Sequence, residues 1–372
     1  MKLKSFIPLA LLSFLFMNCG TVNYTSEHPF TVGPVTVVTF PSSATNGIKD
    51  WIPDGKLIPV KKDDGWLMFW AETMDIRTEL LSSSPNCSPW PEDHAGQLTV
   101  ANEVYGRKSN KKVTDKIADF NENGSWFIGV FPLNDSGKYV GFYHAESHRD
   151  NEPGYEGTPG IAHKSIGVTY SDDYGKTWHD SAPIITASKT KAESSGWSGL
   201  GDGCVVYDEV NSRWLCYYQG EVSGRTNSIC LAMSEDPEGK SGTWKKWNGH
   251  DFSAEAYNPE TKKGGENTAL NNLNAHPGAN PSVMWNHYLN KWIMVYHGWD
   301  PKMVYIAFSK DGINWSYPAN VIGGKDNPIW YPNLISSEGD LKGGKELRLY
   351  YSYQQNPTDG KRKLAYSTLT FK

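Results

Sequence analysis

Three acids stand where strand-like runs begin or end. Glu146 closes the run Tyr143-His144-Ala145-Glu146-Ser147-His148, Asp202 opens one within Gly201-Asp202-Gly203, and Asp54 opens another after Pro53. Two histidines, His144 and His297, fall at matching ends of two such runs, and Trp51, Trp197, Trp299, Trp330 and Tyr331 lie close by in the sequence. Paired carboxylates among aromatic rings suit hydrolysis of a glycosidic bond. A protonated acid assists the leaving oxygen, and an ionised one acts as base or nucleophile. Glu146 and Asp202 are therefore expected to supply acid and base, with Asp54 as a third catalytic acid. His144, His297, Asn280, Glu221, Trp299, Asp300, Asn333 and Tyr353 are expected to bind substrate. Each has a plainer reading. An Asp beside Gly often caps a turn, a single His is often structural, and Glu72, Glu221 and Asp300 read more readily as solvated rim charges.

The elements that position these residues come as a repeat. His276 to Trp315 holds three runs dense in β-branched and aromatic residues, with short polar turns between them and a fourth strand beginning at Trp315. A four-stranded antiparallel sheet of this length is the size of a propeller blade. The inner pair of strands recurs as 56–60 with 66–70, 126–131 with 139–143, 203–207 with 214–218 and 333–336 with 347–351. The predicted fold is all-β, a five-bladed β-propeller over residues 46–372. The last repeat lacks a fourth strand. The run Val35 to Phe40 is expected to supply it and so close the ring, which removes a free sheet edge. Strand parity then places the long connections, and the acids above, on one face.

Other chemistries find little support. A net charge of −5 on 372 residues gives no basic surface for nucleic acid. Aromatic residues make up 13% of the chain, including 15 Trp, which suits a sheet core and a sugar-stacking surface. Cys87, Cys204, Cys216 and Cys230 show no metal-ligand spacing and read as buried thiols, a cross-strand disulfide being the alternative. No metal site or cofactor is expected, a structural calcium at the propeller axis remaining open, and the chain is expected to act as a monomer. Lys2 and Lys4 precede an apolar run from Phe6 to Met17, so residues 1–18 read as a signal peptide, too short for a dedicated membrane span.

Two further stretches carry resemblances. The placement of Cys19 resembles the lipobox of bacterial lipoproteins. This implies lipidation of Cys19, a lipid-anchored segment 19–45 and a site at the outer membrane, periplasm or cell surface. An ordinary signal peptide with an incidental cysteine is the alternative. Ser171-Asp172-Asp173-Tyr174-Gly175-Lys176-Thr177-Trp178 resembles the Asp box of sialidases, a hairpin device to which no catalysis is assigned. Sialidase activity itself is not expected, because the seven arginines do not form the triad that family uses.

The whole layout resembles the five-bladed propeller glycoside hydrolases of the arabinanase, xylosidase and invertase group. Asn280-Pro281-Ser282-Val283 is similar to that family's Asp-Pro-Ser-Val, with Asn for the acid, which implies that the fourth blade binds substrate while the second and third cut it. The expected function is an exported glycoside hydrolase acting on a complex polysaccharide or oligosaccharide. The alternatives are a polysaccharide lyase using His and Tyr, and a non-catalytic glycan-binding lipoprotein.

Overall fold

Aromatic and β-branched residues fill the inner strands so densely that almost no residue in them is free to face water. The structure, a computed structural model, describes residues 29–39, 54–71, 75–94, 117, 119–149, 162–194, 196–222, 225–300, 302–354, 356 and 360–372. The expected signal peptide, Cys19, Trp51 and Glu72 lie outside the described residues.

Nearly all of the regular structure among the described residues is strand. The N-terminal stretch gives β1 (Phe30–Val32) and β2 (Thr36–Val37). A first antiparallel unit follows, β3 (Leu57–Lys62), β4 (Gly65–Ala71) and β5 (Asp75–Leu80), then a single helical turn α1 (Pro91–His94). The second unit is β6 (Gly124–Pro132), β7 (Tyr139–His148), β8 (Ala162–Ser171) and β9 (His179–Ile185). The third is β10 (Trp197–Asp208), β11 (Arg213–Val222), β12 (Arg225–Ser234), β13 (Lys245–Trp247) and β14 (Phe252–Glu255). The fourth is β15 (Gly278–Asn286), β16 (Lys291–Gly298), β17 (Met303–Ser309) and β18 (Ala319–Gly323). The fifth holds β19 (Ile329–Ile335), β21 (Glu346–Tyr353) and β22 (Lys363–Phe371), while the two-residue β20 (Lys342–Gly343), between β19 and β21 in the chain, pairs in parallel with β15 of the fourth. The inner pairs read from the sequence are the pairs found.

Five apolar clusters join the units in succession. Phe69 packs with Phe127 and Trp178 between the first and second, Phe142 with Trp214 and Trp244 between the second and third. Tyr217 and Trp315 meet between the third and fourth, and Ile293 and Leu349 between the fourth and fifth. The fifth cluster joins Ile335, Tyr350 and Leu364 of the last unit to Leu57, Met68 and Trp70 of the first. Each sheet thus buries both faces. That is why all seven residues of β4 and all ten of β7 are buried and why their sequences do not alternate.

The far edge of β22 takes up the N-terminal stretch. Phe30 pairs with Phe371 and Val32 with Leu369, then Thr36 with Tyr366 and Val37 with Ala365. The expected strand thus pairs over Thr36–Val37, and Phe30–Val32 adds a run that the sequence reading missed. The cysteines Cys204, Cys216 and Cys230 are buried free thiols, and Cys87 is a half-buried one.

Candidate active site

The first strands of three units break register at the same place. The irregularity falls between Gly201 and Cys204 in β10, between Ala279 and Ser282 in β15, and between Trp330 and Asn333 in β19. A bulge of this kind re-aims the side chain it carries. The carried residues are Asp202, Asn280 and Tyr331, with φ of 47°, 51° and 53°. Left-handed backbone at a residue with a Cβ costs about 1 kcal/mol or more, and here it recurs three times in matching positions. All three residues line one cleft of about 310 Å³, joined by Asp54 from the equivalent start of the first unit.

This register corrects the sequence alignment of the fifth unit. Tyr331-Pro332-Asn333-Leu334 matches Asn280-Pro281-Ser282-Val283, so Tyr331, not Asn333, holds the cleft position. Asn333 is buried beneath it and fully engaged. Its amide nitrogen donates to Gly55 O at 3.2 Å and Tyr331 O at 2.8 Å, and its Oδ1 accepts from Leu57 N at 3.1 Å. It fastens the fifth unit to the first.

Along β7 every second side chain turns toward the third unit, which brings His144, Glu146 and His148 onto one face. Asp202 N donates to His144 Nδ1 at 2.9 Å, so the ring proton sits on Nε2, 3.2 Å from Glu146 Oε1. His148 Nε2 lies 2.7 Å from Glu146 Oε2. Gly201 makes this approach possible, since a Cβ there would stand 2.0 Å from His144 Nδ1. Burial pushes the Glu146 carboxyl up, but the hydrogen bonds from His144 and His148 outweigh it and hold the group well below the usual carboxylate range.

Asp202 has a cation of its own. Lys164 Nζ, brought across from β8, lies 3.5 Å from Asp202 Oδ2 and donates to Gln219 Oε1 at 3.1 Å. Burial again pushes the carboxyl up, and Lys164, then His144, bring it below its ordinary value. Asp54 faces Arg362 Nη2 at 3.4 Å. Burial, then the charges of Asp54 and Asp202, push the Tyr331 phenol well up, so it keeps its proton. Lys56 is buried in the cleft wall and crosses from the first unit to donate to Ser282 Oγ of the fourth at 2.9 Å. A fixed ammonium in that position repels a second cation. Among the described residues no group of three or more His, Cys, Asp or Glu is arranged to hold a metal ion.

The histidines at matching strand ends do matching work. His297 Nδ1 accepts from Tyr331 N at 3.4 Å, as His144 does from Asp202 N, so each pins the bulge of the next unit. His297 is wholly buried, its Nε2 has no hydrogen-bond partner among the described residues, and burial lowers its pKa to about 4. Trp197, 55% exposed, stands edge-on to His148, and Trp299, 39% exposed, edge-on to His297. An indole left this open in a cleft offers a stacking face.

Of the sequence-predicted residues, the structure brings Asp54, His144, Glu146, Asp202, Asn280 and Trp299 into the cleft lining. His297 and Asn333 support it from below. Glu221 is half-buried outside the lining, where its carbonyl accepts from Asn267 Nδ2 at 3.0 Å. Asp300 is exposed, and the Tyr353 hydroxyl donates to Asn327 Oδ1 at 3.2 Å. The sequence reading missed Lys56, Lys164, His148 and Arg362. For His148 a signal existed: it continues the alternation that starts at His144.

No family model matches the chain, and no curated protein is similar to it. Among solved structures, the catalytic domain of a family 62 α-L-arabinofuranosidase from Coprinopsis cinerea is 11% identical with a TM-score of 0.49, over 92% of this chain and 96% of that one. A family 117 glycoside hydrolase from the marine bacterium Zobellia galactanivorans is 11% identical with a TM-score of 0.49, over 92% and 91%. An N-acetylgalactosamine deacetylase from F. plautii is 10% identical with a TM-score of 0.47, over 91% and 95%. The site is therefore read from its own geometry.

Proposed function

We propose that the protein is an exported glycoside hydrolase acting on a complex polysaccharide or its oligosaccharides, built as a five-bladed β-propeller that the N-terminal strand closes. The fold reading is supported by the five successive apolar clusters, the last joining the fifth unit to the first, and by the pairing of β1 and β2 with β22. The observation that carries the function is the gathering of Asp54, Glu146 and Asp202 in one cleft walled by Trp126, Trp197 and Trp299. Export through residues 1–18, a lipid on Cys19, a place at the cell envelope and action as a monomer complete the proposal.

Asp202, kept ionised by Lys164, serves as the base that takes a proton from the attacking water. Glu146 is ionised in the empty cleft. A bound sugar excludes water and so favours the neutral, protonated Glu146 carboxyl over its buried anion. A proton taken up with the substrate then rests on Glu146, whose Oε2 lies 2.7 Å from His148 Nε2, and passes to the leaving oxygen. The bond to the leaving oxygen breaks as the bond from water forms. Asn280 and the exposed indoles hold the ring.

The expected result is that Glu146→Gln and Asp202→Asn each abolish release of reducing ends from a panel of plant and marine polysaccharides, with melting temperatures nearly unchanged. Full turnover by both variants would sink the assignment. The lyase reading draws on Tyr331, a protonated phenol beside His297 at 5.9 Å between ring centroids. Lyase products are unsaturated, so ultraviolet absorbance appearing in a digest would favour it. Saturable binding to the panel with no product would favour a glycan-binding lipoprotein.

A further inference from the structure

The first strand begins at the end of the sheets remote from the cleft. Pro29 O accepts from Lys372 N at 2.9 Å, and Phe371 N donates to Lys345 O at 2.8 Å. From there β21 runs, with Glu346 opposite Thr370, to Tyr353 opposite Ile329, two residues short of Tyr331 in the cleft. Its eight residues span about 23 Å. Ten residues join Pro29 to Cys19, a reach of at most about 36 Å. A lipid on Cys19 therefore keeps this end of the molecule close to a bilayer.

Three large apolar side chains stand exposed at the same end. Val210, 92% exposed, lies in the turn between β10 and β11, and Tyr288, 46% exposed, in the turn between β15 and β16. Leu341, 36% exposed, directly precedes β20. They belong to one group. β20 pairs with β15, Lys342 opposite Trp285, and Trp285 N donates to Leu341 O at 2.9 Å. Lys342 Nζ reaches Glu209, the neighbour of Val210, at 2.8 Å. Lys345 Nζ lies 5.7 Å from the centre of the Tyr288 ring, and its carbonyl is the one that Phe371 meets. The patch thus borders the point where the tether leaves. Apolar side chains scattered singly need no cause, whereas a group at one spot marks a surface that something covers. Lys291, Lys342, Lys345 and Lys372 are matched there by Glu209, Glu338, Asp340 and Glu346, which leaves no acidic excess to repel phospholipid head groups.

We propose that Val210, Tyr288 and Leu341 form a membrane-docking surface, seated in the head-group layer of the bilayer that carries the Cys19 lipid. The cleft then opens away from the membrane, toward a polymer outside. Apolar area buried at the interface adds to the hold of the lipid. A tyrosine suits that layer, because its ring is apolar and its tip polar. The lipid belongs to the proposed function, on which this inference rests; the patch is observed without it.

The test places the chain from residue 19 onward, behind an N-terminal hexahistidine tag, on protein-free phosphatidylcholine–phosphatidylethanolamine vesicles doped with a nickel-chelating lipid. Hydrogen exchange is read by mass spectrometry against the same protein without vesicles. Amides at 209–211, 287–290 and 338–345 should exchange more slowly on the vesicles, while those of the cleft rim at 197–203 and 298–300 stay unchanged. A triple variant, Val210→Ser, Tyr288→Ser and Leu341→Ser, alters only exposed positions, and circular dichroism checks its fold. It should lose the protection although the tag still holds it. Unchanged exchange at the three turns, equal protection of the cleft rim, or protection that survives the triple variant overturns the proposal. Protection on native membranes alone would mean a protein partner and overturns it too. The anchor is checked apart, by the mass of the exported protein. An unmodified Cys19 sinks the lipoprotein reading, while protection on the tagged vesicles still supports the docking surface.

Discussion

At the scale of the residue, the cleft is a matter of what each acid is paired with. Glu146 is served by two imidazoles and Asp202 by an ammonium, and in the proposed reaction these partners set their different roles. Lys164 touches no glycosidic oxygen in the proposed reaction; it positions and charges the base. The Asp202 carboxyl is held down by Lys164, so replacing the lysine lets burial dominate and raises its pKa. In Lys164→Met the ionised base is then lost at a higher pH than in the wild type. The acid limb of the kcat/KM profile therefore moves to higher pH, while activity on the alkaline side of the limb persists. An unmoved limb would show that Lys164 is only a structural prop. Neither Lys164 nor Arg362 could be found from sequence, because nothing in a third-strand or late-loop position tells which acid it will face. Glu146, Asp202 and Asp54 were legible, because acids at the ends of runs otherwise dense in apolar residues stand out.

At the scale of the element, the bulge is the device that builds the cleft. It spends backbone strain to turn Asp202, Asn280 and Tyr331 off the strand line. Asn280 allows this to be measured, since it lines the cleft without a charge. Asn280→Gly relieves the left-handed strain while adding freedom to the unfolded chain, terms of opposite sign and each about 1 kcal/mol, so unfolding by urea should barely change. Asn280→Ala keeps a Cβ without an amide and should lose about 1 kcal/mol. Both should raise KM. A glycine variant less stable than the alanine variant would mean that the bulge carries no strain. The bulge also explains why the fifth unit was misaligned from sequence. An extra residue in a strand leaves no mark of its own, and Asn333 looked like Asn280 by type. The strands themselves were readable because two buried faces demand unbroken apolar runs.

At the scale of the whole molecule, the ends of the chain are structural. Residues 29–39 cover the outer edge of β22, which otherwise presents unpaired backbone groups. A chain beginning at residue 29 is expected to melt as the full chain does. One beginning at residue 40 is expected to melt lower and to scatter light on warming, as bare edges find one another. Identical melting of the two chains would show that the pairing contributes nothing. The sequence exposed the need for this partner through the short last repeat. It did not disclose Phe30–Val32, a three-residue run just after a proline with too little pattern to read.

That same pairing sets a timetable. The partner of β1 and β2 is β22, which leaves the ribosome long after them. At ordinary elongation rates the N-terminal segment therefore waits on the order of twenty to seventy seconds before its partner exists. Until then the apolar cluster that joins the last unit to the first is incomplete, and β1 and β2 have no strand to pair with. Until β22 arrives, that segment is free to pair with a neighbouring chain instead.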